Sequence, residues 1–486
     1  MAAQLLLVPV CLSGFFVALV LYLWHINRLL KETPREVGQL RGKPWTPEWL
    51  RQTYEALKKS PVGLNGRLPP KLDRRYIVTG GNGLVGGYIV LQLLARGTPP
   101  KCIRIVDVRE PERDDLRKGL AAQVDFVQTD IASKAAVVQA FSKSWDPTIA
   151  SLPLTVFHTA AIMIPGARSK HLYKGIEAIN VQGTRNVLAA SRAVGADIFS
   201  STSSASISVR PVEAFVAPWA EPKHYWQVMD TQDFNRPLRE HEDYFANYAF
   251  SKAIAERLVC AENEQSFRTG CIRPGNGIYG HPSDNVIGSL LAKEVNQTWI
   301  PHIVQNFVHG ANVAVAHLYH EAALAKAHCP QAGKPFVVTD EGPPITFGDI
   351  YTAVETLSVH SFQNVLVPPI VILLMSHLVE WCIVLPYRFS FLKGLLPEVK
   401  GDLRTLQPGL ITICTHLVAS DAEARKPVHE GGLGYKGLTS LEGVVSVILD
   451  WNREHSGENA RGEKKVYQGS LRLAEMLDAV GSSIPR

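Results

Sequence analysis

"RYIVTGGNGLVGGYIVLQLLARG", residues 75–97, decides how this chain is read. A short apolar run suited to a buried strand ends at Thr79, and glycines stand at 80, 83 and 86. From Leu84 apolar residues recur at helical spacing until Gly97 stops them. Strand, glycine turn and helix in that order form an anion cradle. The glycines allow a tight turn and a close approach of backbone to a pyrophosphate, and the helix N-terminus faces its charge. On its own such a turn is also a common structural device, so the context decides.

The context supports a dinucleotide. The next apolar run, "CIRIVDV", carries Asp107, 21 residues past Gly86. An acid there suits hydrogen bonding to the ribose hydroxyls of NAD and repels a 2′-phosphate. Arg109, two residues on, softens that preference toward NADP. "VDFVQTD" follows, and places Asp130 and Ile131 to meet adenine; Asp130 reads equally well as a helix N-cap. "LTVFHTAA" and "DIFSSTSSASI" are further short apolar runs with helix-like segments between them. Strand alternating with helix argues an α/β fold, a Rossmann-type doubly wound parallel sheet, over residues 73–275. Beyond 275 the alternation loosens, and residues 276–455 read as a smaller C-terminal substrate-binding region. The tail, 456–486, is charged.

Upstream, "QLLLVPVCLSGFFVALVLYLW", residues 4–24, carries no charge and has the length of a transmembrane helix. Arg28, Lys31, Arg35, Arg41 and Lys43 follow it. The positive-inside rule then places the body in the cytoplasm. A cleaved signal peptide is the rival, but it calls for a basic start, a shorter core and small residues at a cleavage site. Residues 1–27 therefore read as a single-pass anchor, in the endoplasmic reticulum if the source is eukaryotic. Residues 28–72 read as a juxtamembrane linker with one helix near "PEWLRQTYEALKK". A second apolar stretch, 365–386, opens on Pro368 and Pro369 and contains His377 and Glu380. Buried, interfacial and spanning readings all stay open, and the ionisable pair favours the first two.

Composition excludes some classes. The 486 residues are 46% hydrophobic and 20% charged, an ordinary globular balance. A net charge of +5 over this length gives no reason to expect nucleic acid. Seven scattered cysteines read as reduced thiols, and no Cys/His cluster suggests a metal.

"YAFSK", residues 248–252, sets a tyrosine and a lysine one helical turn apart. A cation beside a phenol favours the phenolate, which makes a tyrosine usable as a base. That spacing is common on solvated helix faces, so it needs partners elsewhere.

Taken together, "TGGNGLVG", "VDV", "TDI", "VFHTAA", "INVQGTRNVL", "STSSASI", "YAFSK", "IRPGNGIYG" and "NFVHGANVAVAHL" come in an order that resembles an extended short-chain dehydrogenase/reductase. More closely, they resemble the 3β-hydroxysteroid dehydrogenase/isomerase family, which includes sterol-4α-carboxylate 3-dehydrogenases. The resemblance covers roughly residues 75–452. It implies Tyr248 as acid/base, Lys252 as its electrostatic partner and ribose ligand, and Ser204 (with Ser203 a near competitor) as the hydrogen bond to the reacting oxygen. It implies Asn180 as the holder of a proton-relay water. His158, Ala160 and Ala161 match the turn beside the nicotinamide ribose, and Pro274, after Arg273, the residue near the carboxamide. It implies NAD, a lipophilic small-molecule substrate and membrane attachment, and leaves a homodimer open.

Two features depart from the pattern. Ala311-Asn312 stands where Asp-Asn is usual, and Ser204 and Tyr248 are 44 residues apart, wider than is usual. Residues 208–243, with Trp219 and Trp226, then read as an inserted loop by the cleft. An NADPH-dependent carbonyl reductase is the alternative that Arg109 would favour. A catalytically silent nucleotide-binding scaffold is the alternative of another class.

Overall fold

A computed structural model describes residues 2–61 and 65–456. The tail expected over 456–486 lies, past Ser456, outside them. Seven strands form one sheet: β1 (Arg75–Thr79), β2 (Ile103–Asp107), β3 (Asp125–Gln128), β4 (Leu154–His158), β5 (Ile198–Thr202), β6 (Arg268–Pro274) and β7 (Pro335–Val338). Every pairing is parallel, in the order 7-6-5-4-1-2-3. All five residues of β2, β4 and β5 are buried. That is why these strands read as continuous apolar runs, the mark of a parallel sheet covered on both faces. The strand order reverses at β1, where Thr79 lies opposite Val106 on one side and His158 on the other. The crevice at such a switch point is where this architecture holds ligands.

Five helices matter to the site: α1 (Ala2–Leu29), α2 (Leu84–Ala95), α3 (Asn247–Ala261), α4 (Gly310–Leu324) and α5 (Pro369–Arg388). α2 and α4 cover one face, with Ile89, Leu93, Val313 and Leu318 packed on Val78 and Ile105. Val259 of α3 joins Phe141 and Val187 on the other, against Ile77, Val156 and Phe199. Each such side chain, fully buried, contributes about 1.5–3 kcal/mol relative to exposure.

The division of the chain differs from the expectation in three places. First, the Rossmann sheet does not stop at 275. Its edge strand β7 and helix α4 come later, because "PFVV" is apolar and buried and pairs with β6 residue for residue. Second, the stretch 208–243 does not line the cleft. Its strand Trp226–Met229 joins a smaller four-stranded sheet, in which it pairs in parallel with His416–Ala419. Buried Arg273 holds the loop from below, reaching Asp233 at 2.7 Å and the carbonyl of Asp230 at 2.7 Å. Third, the linker does not merely connect: it contains the expected helix but packs that helix into the body. Thr46 caps helix Pro47–Lys59, and Trp45, Leu50 and Leu57 are buried in one cluster with Val444 and Trp451.

From Leu12 to Leu29, α1 is apolar and mostly exposed, with Leu12, Phe15, Phe16 and Trp24 on the outside. α5 is also long and apolar enough to cross a membrane, but it lies against the body. Leu373, Ser376, Val379 and Glu380 are buried along it, and Arg168 grips Glu380 with two bonds of 2.7 Å.

Candidate active site

A cleft of about 570 Å³ runs along the carboxyl ends of the sheet strands. Gly80, Gly83 and Gly86 form its floor at the start of α2. Gly80 sits at φ +71°, and a Cβ there would come within 2.6 Å of the Ala160 nitrogen. A Cβ on Gly86 would meet the Gly80 carbonyl oxygen at 2.3 Å. Only glycine fits either position, so the turn closes as the sequence predicts.

Asp107 ends β2 beside this turn. Its carboxylate accepts from the backbone N–H of Asn82 at 3.0 Å and of Arg109 at 3.1 Å. Burial raises its pKa, and these two donors oppose the shift. Asn82 Oδ1 and Arg109 Nε are buried here with no partner, one an acceptor and one a donor. Both residues line the cleft, as do Asp130 and Ile131. Asp130 Oδ1 accepts from the Ala132 N–H at 2.9 Å, and the helix cap is Ser133, three residues on. The N-cap alternative for Asp130 is therefore replaced by a turn within the cleft wall. Unpaired polar atoms in a glycine-floored cradle fit an adenine dinucleotide with Asp107 at its ribose.

At the other end, Ser204 follows β5, and Tyr248 and Lys252 project from the first turns of α3; all three line the cleft. The Ser204 hydroxyl stands near enough to the Tyr248 phenol to lower its pKa. Ser204 Oγ pairs with Ser206 Oγ at 2.7 Å. Burial pushes the Tyr248 phenol up to about 12, and the neighbouring Ser204 hydroxyl pulls against that. Lys252 Nζ donates to the Thr202 carbonyl at 2.9 Å, and burial lowers its pKa to about 8. This corrects the simplest sequence expectation. Burial dominates the phenol in the protein alone, and Lys252 is not among the groups that lower it.

Ser203 also lines the cleft, and its buried Oγ has no partner. Ala160, Ala161 and Pro274 form the wall between the two ends. His158 and Asn180 do not reach that wall. The ring of His158 bridges Thr79 Oγ1 at 2.7 Å and Thr184 Oγ1 at 2.9 Å. Burial, then the charge of Lys252, lowers it to about 3 and keeps it neutral. Asn180, in a π-helical turn, accepts from Ile162 N–H at 2.9 Å and donates to Ile162 O and Ser251 Oγ, both at 3.0 Å. Both are struts that hold the cleft's elements in place. They matched motif positions, but the strand pattern could not show which way their side chains turn.

Ser206 and Arg168 were not singled out in the sequence. Ser206 had a signal, since it stands two residues after Ser204 at a strand end. Arg168 had none, because its partner Glu380 lies 212 residues away.

Comparisons with known proteins come to the same place. The sequence profile of the 3-beta hydroxysteroid dehydrogenase/isomerase family matches residues 77–365. A 3beta-hydroxysteroid-dehydrogenase/decarboxylase isoform 2 of Arabidopsis thaliana is 27% identical over 410 residues, 80% of this chain and 64% of that one. A decarboxylating sterol-4-alpha-carboxylate 3-dehydrogenase of Candida albicans is 25% identical over 397 residues, 78% and 97% of the two chains. Among solved structures, a UDP-glucose-4-epimerase from Stenotrophomonas maltophila with bound NAD aligns with a TM-score of 0.51 at 16% identity. That match covers 78% of this chain and 98% of that one, and shows the fold.

Proposed function

The chain belongs to the 3-beta hydroxysteroid dehydrogenase/isomerase family, and from that premise we propose that it oxidises the 3β-hydroxyl of a sterol, steroid or terpenoid to the ketone with NAD. The observation that carries this reading is the joining of Tyr248, Ser204 and Lys252 in one cleft with the glycine turn and Asp107. The balance is a secondary alcohol plus NAD⁺ giving ketone, NADH and a proton. The nicotinamide, when bound, supplies the acceptor for the hydride.

The chain's own residues handle the proton and the geometry. Tyr248 takes the proton of the hydroxyl as the carbon is oxidised. Its high pKa in the protein alone means that the phenolate needs positive charge nearby. Lys252, one turn on, would hold the ribose and, together with the oxidised nicotinamide, supply that charge in the loaded site, since in the protein alone it does not lower the phenol. Ser204, fixed by Ser206, aims a hydrogen bond at the reacting oxygen. With NAD bound, Gly80, Gly83 and Gly86 would admit the pyrophosphate, Asp107 would take the ribose hydroxyls, and Pro274 would stand toward the carboxamide. Asn180 and His158 act through the backbone they position. A substrate bearing a 4-carboxylate becomes a β-keto acid on oxidation and loses CO₂ with no further catalytic group.

The anchor fits such a substrate. α1 crosses the membrane once, with the amino terminus outside and the body in the cytoplasm, so the cleft stands beside the phase in which sterols dissolve. One observation favours a second reading. Arg109 Nε is buried without a partner at the adenosine end, which would serve the 2′-phosphate of an NADPH-dependent carbonyl reductase. The test is nucleotide-dependent turnover of a panel of 3β-hydroxysterols, followed at the nicotinamide absorbance. Turnover with NAD supports the first reading. Activity confined to ketone reduction with NADPH supports the second.

A further inference from the structure

α5 carries apolar side chains on both sides, yet only one side meets the protein. Leu373, Ser376, Val379 and Glu380, spaced three and four apart, are buried. Val371, Leu374, Met375, Leu378 and Trp381 lie exposed on the other side, Trp381 at 58%. Such an exposed apolar face is a large standing cost in water.

The body follows α5 along nearly its whole length. The N–H of Ile370 donates to Asn27 Oδ1 at the carboxyl end of α1. Glu380 is held by both bonds from Arg168. Tyr387 stacks on His171 with ring centroids 5.9 Å apart. From Ile370 to Tyr387 is roughly 25 Å of helix. A helix that crossed the bilayer would carry its far end beyond the reach of residues 168–171, which belong to the catalytic body. A carboxylate clamped to an arginine midway along also marks a protein-facing side rather than a lipid-facing one.

What covers the other side is set by α1. Tyr225 OH donates to the Leu30 carbonyl at 2.5 Å, and Tyr22 OH to the Val216 carbonyl at 2.8 Å. The carboxyl end of α1 is thus fixed to the body, and α5 begins beside it. Where α1 leaves the bilayer, α5 must lie at its surface. The apolar face continues past the helix into Phe391 and Leu395, both about three-quarters exposed. Arg388 and Lys393 stand beside them for anionic headgroups.

We propose that α5 is a monotopic membrane-surface helix. It lies along the leaflet from which the carboxyl end of α1 emerges, with the Leu374–Leu378–Trp381 side sunk to the top of the acyl chains. Behind it, Leu373 packs in one cluster with Ile411 and Cys414, and Cys414 lines the cleft. Only α5 and the segment from Ile411 to Cys414 stand between lipid and the substrate end, so a sterol passes from the bilayer past α5 without crossing water. The direction of access rests on the lipophilic substrate proposed above; the placement of α5 does not.

The test uses the full chain in lipid vesicles carrying brominated acyl chains. The tryptophan emission of Trp381→Phe protein, subtracted from that of the wild type, isolates Trp381. Quenching should be stronger with bromines at the shallow 6,7 positions than at the deep 11,12 positions. Stronger quenching from the deep bromines would mean that α5 spans, and absence of quenching that it faces water; either overturns the proposal. Neither readout needs turnover, so failure here is distinct from failure of the assigned activity. For the route of access, Leu378→Glu should raise KM severalfold for a 3β-hydroxysterol dissolved in vesicles while leaving KM for NAD unchanged. An unchanged sterol KM, with shallow quenching intact, would overturn the route and leave the placement standing.

Discussion

The ammonium of Lys252 donates to the main-chain carbonyl of Thr202 at 2.9 Å. The bond ties the catalytic helix to the end of β5, two residues before Ser204. It also leaves a cation in a buried site, where burial lowers its pKa to about 8. That cation serves the reaction and works against the fold.

Lys252→Met should therefore abolish most turnover and raise stability near neutral pH. Folding favours the neutral amine, so the wild type gains stability from this group as pH climbs through 8 toward the range of a free lysine. Between pH 7 and 9.5 the gain is about 2 kcal/mol. The variant lacks that slope. Urea unfolding should show Lys252→Met ahead at pH 7 by about 1–2 kcal/mol, once the lost hydrogen bond is allowed for. Its lead should be gone by pH 9.5. A variant less stable at pH 7, or a gap that does not narrow, would contradict the account.

Tyr248→Phe keeps the ring that packs beside Ser204 and removes the oxygen that takes the proton. Turnover should fall about 10²–10⁴-fold. Binding of NAD, followed by fluorescence, should stay close to wild type, because the glycine turn and Asp107 are untouched. Near wild-type turnover in the purified variant would remove Tyr248 from the mechanism.

Much of this site was legible in the sequence, for identifiable reasons. The glycine turn and Asp107 sit within one strand–helix–strand unit, where spacing alone fixes geometry. Tyr248 and Lys252 share a helix, so four residues settle their common face. Ser204 lay across a 44-residue gap from its partner, and only the motif order linked them. What the sequence did not show were the long pairings. Pro335–Val338 joins the sheet edge, Trp226–Met229 pairs with His416–Ala419, and Arg168 reaches Glu380. No local period encodes which distant segment a strand will find. His158 and Asn180 matched positions whose side chains turn into the scaffold, and a pattern of residue types does not give direction.

Cofactor choice turns on Asp107. Its carboxylate already holds the N–H groups of Asn82 and Arg109, so the negative charge is fixed where a 2′-phosphate would come. Steady-state kinetics should show NAD preferred over NADP. Asp107→Ala should narrow the ratio by about tenfold or more, the scale of a hydrogen bond to a charged group. Preference for NADP in the wild type would mean that Arg109 governs this end of the cleft.

Arg273 matched a motif position as the residue before Pro274, but its side chain points away from the cleft. It is fully buried and forms two bonds to Glu256, at 2.6 and 2.8 Å, besides those to Asp233. Arg273→Ala strands Glu256, itself 2% exposed. The loss should be about 3–5 kcal/mol, the usual cost of leaving one partner of a buried pair. Chemical denaturation measures it. A loss under about 1 kcal/mol, the scale of an exposed pair, would mean that Glu256 finds water or a proton without strain.

The orientation of α1 needs a test that the native sequence alone does not provide. The acceptor Asn296 lies buried in strand Val295–Thr298, its side-chain amide donating to Asn364 Oδ1 at 2.9 Å. A folded protein would hide it from glycosylation on either side of the membrane, so a bare Asn296 says little. A glycan there would still mean that the body is translocated. The decisive variant adds an Asn-x-Thr acceptor ahead of residue 4 on a flexible extension. Expressed with microsomes, that acceptor should be modified while the body stays open to added protease. Arg28 in the last turn of α1 and the basic residues from Lys31 to Lys43 beyond it are the positive flank on which the proposed orientation rests, and that orientation makes the amino terminus the end that crosses. An unmodified extension together with a protected body would reverse the orientation. It would place the cleft and α5 on the opposite leaflet, with the same face of α5 still turned to lipid.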